Sequence, residues 1–467
     1  MRDILIINSK DNVGVCLKDR DQIPLGHKIA LKDIKKGEPV IKYGMVIGKA
    51  YQDIKEGEWV HTHNLKSHLD ETFSYSYQFE GEQLPKQSMT FNGFLREDGS
   101  AGIRNEIYII PTVGCVNSVC KRLEKEAQQY IKGSLDSITA LTHQFGCSQL
   151  GEDHKNIKKL LCSIAMNPNA TYVLFVGLGC ENNSLKFIKE YLDAQKRTNV
   201  FYYNCQEVED EVSYGLTILK ECASKASKLK RTSIPLDKLV IGLKCGGSDG
   251  LSGITANPTI GKVADKVISY GGSAILTEIP EMFGAEQILM NKCLSQEVYE
   301  KFVKMITNFK QYYLDNNFPV YENPSPGNKE GGITTLEEKS CGCITKAGSS
   351  PIVDVLDYGE RLKKVGLNVL DGPGNDLIST TALGAAGCQI ILFSTGRGTP
   401  FASFVPTLKI GTNNRISTYK KDWIDFNAYN LEDDKLFDLL IKTINGEYKT
   451  KNEDNKEIAF YKKGVTL

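Results

Sequence analysis

The segment "KCGGSDGLSGITANP", residues 244–258, follows directly on the apolar run "KLVIGL". A glycine-rich turn after a buried strand lets the backbone approach a ligand closely. Cys245 and Asp249 within it offer a thiolate and a carboxylate to a metal ion. Similar clusters follow other apolar runs: "TVGCVNS", "THQFGCSQLGED", "GLGCENN", "TEIPEMFGAE", "NPSPGNKEGGITTLEEKS", "DGPGND" and "STGRGTP". Strand ends in an α/β sheet open into ligand crevices, so chemistry is expected in these segments. The histidines are His27, His61, His63, His68, His143 and His154, and none follows residue 154. A metal in the C-terminal part is then expected to take oxygen or thiolate ligands, unless a histidine docks from another domain. His61 and His63 in "HTH" share one face of a strand, which suits a metal, an anionic ligand or a plain exposed face.

Several chemistries lack their signatures. No G-x-x-x-x-G-K-[ST] occurs, and "GLGCEN" fails the G-x-G-x-x-G pattern, so ATP and NAD binding lose their best support. No C-x-x-C pair occurs, and "CGC" at Cys341–Cys343 is too tight for a standard zinc pair. The 467 residues carry 57 basic and 57 acidic side chains, which argues against nucleic acid or an anionic membrane as the main partner. No run reaches membrane-spanning length, and "MRDILIINSKD" lacks the pattern of a secretory signal. Thirteen scattered cysteines, an odd number, suit reduced thiols in a cytoplasmic protein.

The elements that must position these residues change character along the chain. Residues 1–70 read as short strands punctuated by Gly26, Gly37, Gly44, Gly48 and Gly57, a small all-β module. Residues 71–90 have little periodicity and read as a linker. From residue 91, apolar runs alternate with amphipathic helices, first over 91–232 and again over 233–467. This predicts an α/β body with mainly parallel sheets. No internal repeat is expected.

The motifs resemble the altronate and galactarate dehydratase family. "LGHKIALKDIKKGEPVIKYGMVIGKAYQDIKEGEWVHTHNL" is similar to its N-terminal SAF (β-clip) module, and "FNGFLREDGSAGIRNEIYIIPTVGCVNSV" to the start of its main region. The clusters named above follow in the family's order over almost the whole chain. The resemblance implies a β-clip module, a linker, a middle domain that makes a homodimer, and a C-terminal Rossmann-like domain with an iron(II) or manganese(II) site. "TEIPEMFGAE" and "SPGNKEGGITTLEEKS" look more like altronate than galactarate dehydratases. Sulfolactate sulfo-lyases are related, usually with a separate β-clip subunit; here it is fused. "SCGCITKAG" departs from the family, which has an apolar, alanine-rich stretch there. An NAD-dependent oxidoreductase and a non-catalytic carbohydrate-binding protein are the alternatives of other classes.

A dehydratase of this kind removes the proton next to a carboxylate and expels the 3-hydroxyl, turning altronate into 2-dehydro-3-deoxygluconate and water. The expected metal ligands are Asp249, Glu278, Cys245 and Asn257. Gly246, Gly247, Ser248, His27 and Arg397 are expected to face the sugar acid, Arg397 with a bidentate fork for the carboxylate. The candidates for proton transfer are Lys329, Glu281, His143, His61 and His63. Cys115, Cys147 and Cys180 each follow a strand of the middle domain, as buried core thiols or as an iron site.

Overall fold

A computed structural model describes residues 3–69, 74–319 and 323–464. Residues 71–73 of the expected linker, and the outermost residues of both terminal domains, lie outside the described residues. The N-terminal module contains β1 (Ile4–Leu5), β2 (Val13–Cys16), β3 (Lys28–Ala30), β4 (Pro39–Lys42), β5 (Met45–Ala50), β6 (Trp59–Val60) and β7 (Leu65–Lys66). They form two antiparallel sheets, ordered β1-β2-β3-β6 and β4-β5-β7, around Val13, Val40, Ile47, Val60 and Leu65.

The module contains a short internal repeat, where none was expected. "DIKKGEPV" and "DIKEGEWV" occupy equivalent turns joined by an Ile34–Ile54 bridge. Asp53 accepts from Lys36 N at 2.9 Å and Asp33 from Glu56 N at 3.0 Å. Lys35 pairs with Asp53 and Lys55 with Asp33. The repeat is too short to show as periodicity, but its reciprocal hydrogen bonds make it structural.

The linker is extended and lies on the C-terminal domain. Tyr77 Oη donates to Cys293 O at 2.7 Å, Glu82 N to Ser349 O and Gln87 N to Ser269 O. β8 (Thr90–Leu95) and β9 (Ala101–Gly102) then lead into the middle domain.

That domain has β10 (Glu106–Pro111), α1 (Asn117–Ala127), β11 (Ser137–Ala140), α2 (Gly151–Ala165), β12 (Ala170–Gly177), α3 (Leu185–Ala194), β13 (Val200–Asn204) and α4 (Glu211–Ala226). Its sheet is parallel, ordered β11-β10-β12-β13. β14 (Thr232–Pro235) returns antiparallel to β8, so the chain enters and leaves this domain through one small sheet.

The C-terminal domain is built on β15 (Val240–Cys245), β16 (Ser273–Leu276), β17 (Ile352–Leu356), β18 (Leu367–Leu370), β19 (Ile390–Thr395), β21 (Thr407–Gly411) and β22 (Phe426–Asn427), with β20 (Ala402–Ser403) pairing outside with β23 (Lys456–Glu457). The main sheet is parallel throughout, ordered β17-β18-β16-β15-β19-β21-β22. Buried on both faces, its strands read as unbroken apolar runs such as "IILFST". Its helices include α5 (Ala256–Ser269), α6 (Glu286–Met290), α7 (Gln296–Asp315), α8 (Pro326–Glu330), α9 (Leu336–Cys343), α10 (Asp376–Ala386), α11 (Asn414–Tyr419) and α12 (Asp433–Ile444). The chain is thus an α/β body with a small N-terminal all-β domain. No described helix is long and apolar enough to cross a membrane.

Candidate active site

From β15 the sheet grows one way through β16 and the other way through β19. The C-terminal ends of β15 and β19 therefore flank a switch point, where a parallel sheet opens a crevice. "GGSDG" follows β15 and "GRGTP" follows β19. Gly396 N and Arg397 N both donate to Gly247 O, at 3.2 and 3.1 Å, which joins the two loops.

The glycines mostly admit the chain's own groups. A Cβ on Gly246 would meet Asp376 Oδ2 at 2.5 Å and Phe393 Cζ at 2.6 Å. One on Gly250 would strike Gly26 O of the β-clip module, and one on Gly253 would strike Gly342 Cα. Gly246 thus leaves room for a carboxylate of this protein, where the sequence reading expected a sugar acid. Gly247 needs its lack of a side chain for a φ of +60°.

Behind this turn lies a buried charged cluster. Lys244 Nζ donates to the Glu278 carboxylate, to Cys245 O at 2.8 Å and to Gly374 O at 3.1 Å, and pairs with Asp376 at 3.0 Å. Glu278 has a left-handed φ of +74°, a strain that surroundings must hold in place. Its Oε2 accepts from Cys245 N at 3.1 Å and lies 2.8 Å from Lys346 Nζ. Lys346 Nζ is also 3.2 Å from Cys245 Sγ and 2.7 Å from Cys343 Sγ, and the two sulfurs are 3.5 Å apart.

Burial opposes each charge in the cluster. At Glu278 the ammonium groups of Lys244 and Lys346 outweigh burial and hold the carboxyl below its ordinary range. The hydrogen bond with Cys343 lowers Cys245 against burial, and the same bond raises Cys343. Burial would lower Lys346, but Cys245, Cys343 and Glu278 keep it well above its ordinary value. The two ammonium groups of Lys244 and Lys346 face the carboxylates of Glu278 and Asp376, and this compensation makes the burial tolerable.

Among the described residues, Cys245, Glu278 and Cys343 form the group whose donor atoms all lie within 4.8 Å of one another. Two sulfurs and an oxygen suit a borderline cation such as iron(II). The donor chemistry fits, and the Lys346 ammonium holds the cation position between them. Asp249 lies outside this group. Its Oδ1 accepts from Leu251 N at 3.1 Å and Ser252 Oγ at 2.9 Å, and its Oδ2 from Thr412 Oγ1 and Asn413 Nδ2, both at 2.9 Å. These bonds fill the carboxylate, which burial nonetheless pushes upward in pKa. Asn257 Nδ2 donates to Gly342 O at 2.9 Å and its Oδ1 accepts from Ser394.

Asn257, Ser248, Cys343, Lys339 and Asp249 face a chamber of ≈ 10 Å³, room for about one water. Asp249 is also a wall of a cleft of ≈ 550 Å³ between the β-clip module and the C-terminal domain. The module contributes His27, and the domain Arg397, Arg415, Tyr419 and Lys420. Arg397 Nη1 lies 3.0 Å from both Gly327 O and Glu330 Oε2. His27 Nδ1 accepts from Trp59 Nε1 at 3.2 Å, so its Nε2 carries the proton and donates to Glu330 O at 3.2 Å. Burial, with Lys28 close by, lowers its pKa and keeps it neutral.

The other expected residues are spread more widely. His61 stacks on Trp59 at 5.2 Å, with burial pushing it down to about 4, and exposed His63 meets the edge of the same ring. Neither lines the large cleft. Lys329 lines a separate cleft of ≈ 460 Å³ with Lys66 and Thr335. Glu281 pairs with Lys339 at 2.9 Å and accepts from Asn323 Nδ2 at 3.1 Å. His143 stands in the middle domain, its Nε2 donating to Pro111 O at 2.7 Å and its Nδ1 accepting from Phe145 N at 3.2 Å. Both its nitrogens hold main chain. Lys244, Lys346, Lys339 and Asp376 went unread in the sequence. Lys244 had a signal, a lysine inside the apolar strand "VIGLKC".

The module docks through a buried triad. Lys28 Nζ and Lys42 Nζ both lie 2.8 Å from Glu338, and Lys28 also donates to Gly332 O at 2.8 Å. Burial lowers Lys28 to about 8, while the two ammonium groups overcome burial at Glu338 and hold it low.

Comparison with known proteins bears on this arrangement. Family models match for "D-galactarate/Altronate dehydratase, C-terminal" over residues 236–466, "D-galactarate dehydratase/Altronate hydrolase, second domain" over 93–227, and "Altronate/galactarate dehydratase SAF domain" over 16–68. The chain is 48% identical to an altronate dehydratase of Bacillus subtilis (strain 168), covering 100% of both chains. It is 46% identical to one of Escherichia coli (strain K12), covering 99% of both. A galactarate dehydratase (L-threo-forming) of Escherichia coli is 29% identical, over 95% of this chain and 93% of its own. With a β-clip module, a middle domain and a Rossmann-like domain matched in order and at full length, the chain belongs to the altronate/galactarate dehydratase family and is a hydro-lyase that acts as a sugar-acid dehydratase.

Proposed function

We propose that the chain dehydrates D-altronate to 2-dehydro-3-deoxy-D-gluconate and water. The observation that carries this is the full-length identity of 48% and 46% to two altronate dehydratases, against 29% to a galactarate dehydratase. The cleft supports it with three cations, Arg397, Arg415 and Lys420, which suit a carboxylate on a polyhydroxylated chain. Arg397 takes the carboxylate in place of its partner Glu330. Asp249, held by four hydrogen bonds, fixes the wall between chamber and cleft.

The same reading includes a divalent metal, iron(II) or manganese(II), held by Cys245, Glu278 and Cys343 once Lys346 gives way. Bound there, it would supply Lewis-acid stabilisation of developing negative charge. The domain limits 1–70, 71–90, 91–232 and 233–467 accord with the strand pair β8–β14 that brackets the middle domain. Thirteen free cysteines support a reducing, cytoplasmic setting. Exposed Leu95, Leu150, Phe187 and Tyr214 on the middle domain support a homodimer, which light scattering measures.

The test is a 2-keto-acid assay on chelator-treated and metal-restored protein with altronate, galactarate and sulfolactate. Altronate is expected to be turned over fastest, and only after iron(II) or manganese(II) is restored. Faster turnover of either other acid overturns the substrate assignment, and full activity without metal overturns the metal.

A further inference from the structure

Free cysteine is among the most buried residue types. Here the three exposed ones among thirteen, Cys115, Cys147 and Cys180, follow β10, β11 and β12 in the middle domain. Those strands are parallel neighbours in the order β11-β10-β12, so the three thiols stand along one sheet edge. Each follows a glycine, as Gly114-Cys115, Gly146-Cys147 and Gly179-Cys180.

The loops are joined directly. Gly114 N donates to Phe145 O at 2.9 Å, and Asn183 N to Gly146 O at 3.2 Å. Ser148 N donates to Asn182 Oδ1 at 3.0 Å, and Asn117 Nδ2 to His143 O at 2.7 Å. Gly146, at φ +114°, has no space for a Cβ beside Thr112 O, so the Cys147 loop sits against the Cys115 loop. Glu181 fixes the third loop by accepting from Thr112 Oγ1 and from Gly179 N at 2.7 Å. A second observation points to a ligand. Gln149, two residues beyond Cys147 and 4% exposed, has its Oε1 tied to Gly146 N, while its Nε2 has no hydrogen-bond partner.

We propose that Cys115, Cys147 and Cys180 bind an iron–sulfur cluster of the four-iron type. The three sulfurs do not all lie within 4.8 Å of one another, which is wider than a single ion takes. A single zinc-type ion, with bonds of about 2.3 Å, needs its thiolates close together. Among the described residues the tightly spaced donor group lies elsewhere, at Cys245, Glu278 and Cys343. A cluster takes its cysteines at separate irons and so reaches wider. Each thiol gives up one proton as its iron–sulfur bond forms. Three cysteines leave one iron without a protein thiolate, open to water or to a hydroxy acid. Unpartnered Gln149 Nε2 supplies an N–H donor of the kind that bonds to cluster sulfur. The assignment is independent of the cleft.

The test is purification of the full chain without oxygen, then treatment with iron(III), sulfide and excess thiol, which reduces part of the iron to iron(II). The expected result is broad visible absorbance, with iron and acid-labile sulfide at about four of each per chain. Cys115→Ser, Cys147→Ser and Cys180→Ser are each expected to lose most of that signal, and Cys205→Ser, at the end of β13, to keep it. In the unmodified protein, alkylation followed by mass spectrometry reads the same site without any variant. These three thiols are expected to label fully before treatment and to be protected after it. No sulfide-bound iron, a single bound ion per chain, or unprotected thiols would each overturn the assignment.

Discussion

Lys346 carries three partners on one ammonium: Glu278, Cys245 and Cys343. Removing one member of a buried charge set leaves the others uncompensated, at about 3–5 kcal/mol. Lys346→Met is therefore expected to destabilise the chain by that order in urea unfolding. Adding Glu278→Gln should recover part of the loss, because it removes one of the stranded charges. Equal stability of the single variant and the unmodified chain would show that the cluster is not charged as described. His143 makes a pH prediction. Burial holds it at about 4, below the value of about 6.5 expected when unfolded. The unfolded chain binds the proton first, so the contribution is complete above pH 6.5 and is lost as pH falls from there to about 4. Over that window it amounts to about 3 kcal/mol. Stability measured at pH 7, 5.5 and 4.5 should fall along this limb, and His143→Asn should flatten it.

The turn after β15 holds its shape through glycines with different duties, which substitution separates. Gly247→Ala meets a φ of +60° and only 3.4 Å contacts, so its cost is backbone strain of about 1–2 kcal/mol. Gly246→Ala drives a methyl into Asp376 and Phe393, displacing the partner of Lys244. The larger loss of both stability and turnover is expected from Gly246→Ala. If Gly247→Ala proves the more damaging in thermal unfolding and in the keto-acid assay, the packing account of Gly246 is wrong. Gly250→Ala strikes Gly26 of the module, so its effect should appear as faster proteolysis within the linker.

In the whole molecule, the β-clip module completes the cleft by supplying His27 and is held by Lys28, Lys42 and Glu338. Glu338→Gln leaves two buried ammonium groups facing each other with a neutral amide between them. The expected outcome is a loosened module, with loss of turnover and linker cleavage by protease, while the parallel sheets stay folded by circular dichroism. Because buried ion pairs hold the module to the body, the two made as separate chains should associate and recover activity. Failure of the unmodified pair to associate would show that the covalent linker is needed.

Along its length, the sequence determined the order of modules and the location of chemistry. Apolar runs followed by glycine clusters mark parallel strands and their C-terminal ends, because strands buried on both faces must be apolar and the turns after them must be tight. Cys245 and Glu278 could be read as metal donors there once the family resemblance implied a metal site. Partnership was another matter. Cys343 joins Cys245 across 98 residues, and Lys346 sits between them. Asp249, four residues from Cys245, turns instead to Thr412 and Asn413. Sequence neighbours on a tight turn point in different directions, and no local pattern records which distant loop meets each side chain. The duplicated turn of the β-clip module stayed hidden for a related reason: eight residues repeat once, and only the Ile34–Ile54 bridge shows that the two copies face each other. The tertiary structure alone decided that Lys346 is buried and which groups meet Lys244, since a lysine enters a core only when packing brings counter-charges to within hydrogen-bonding distance.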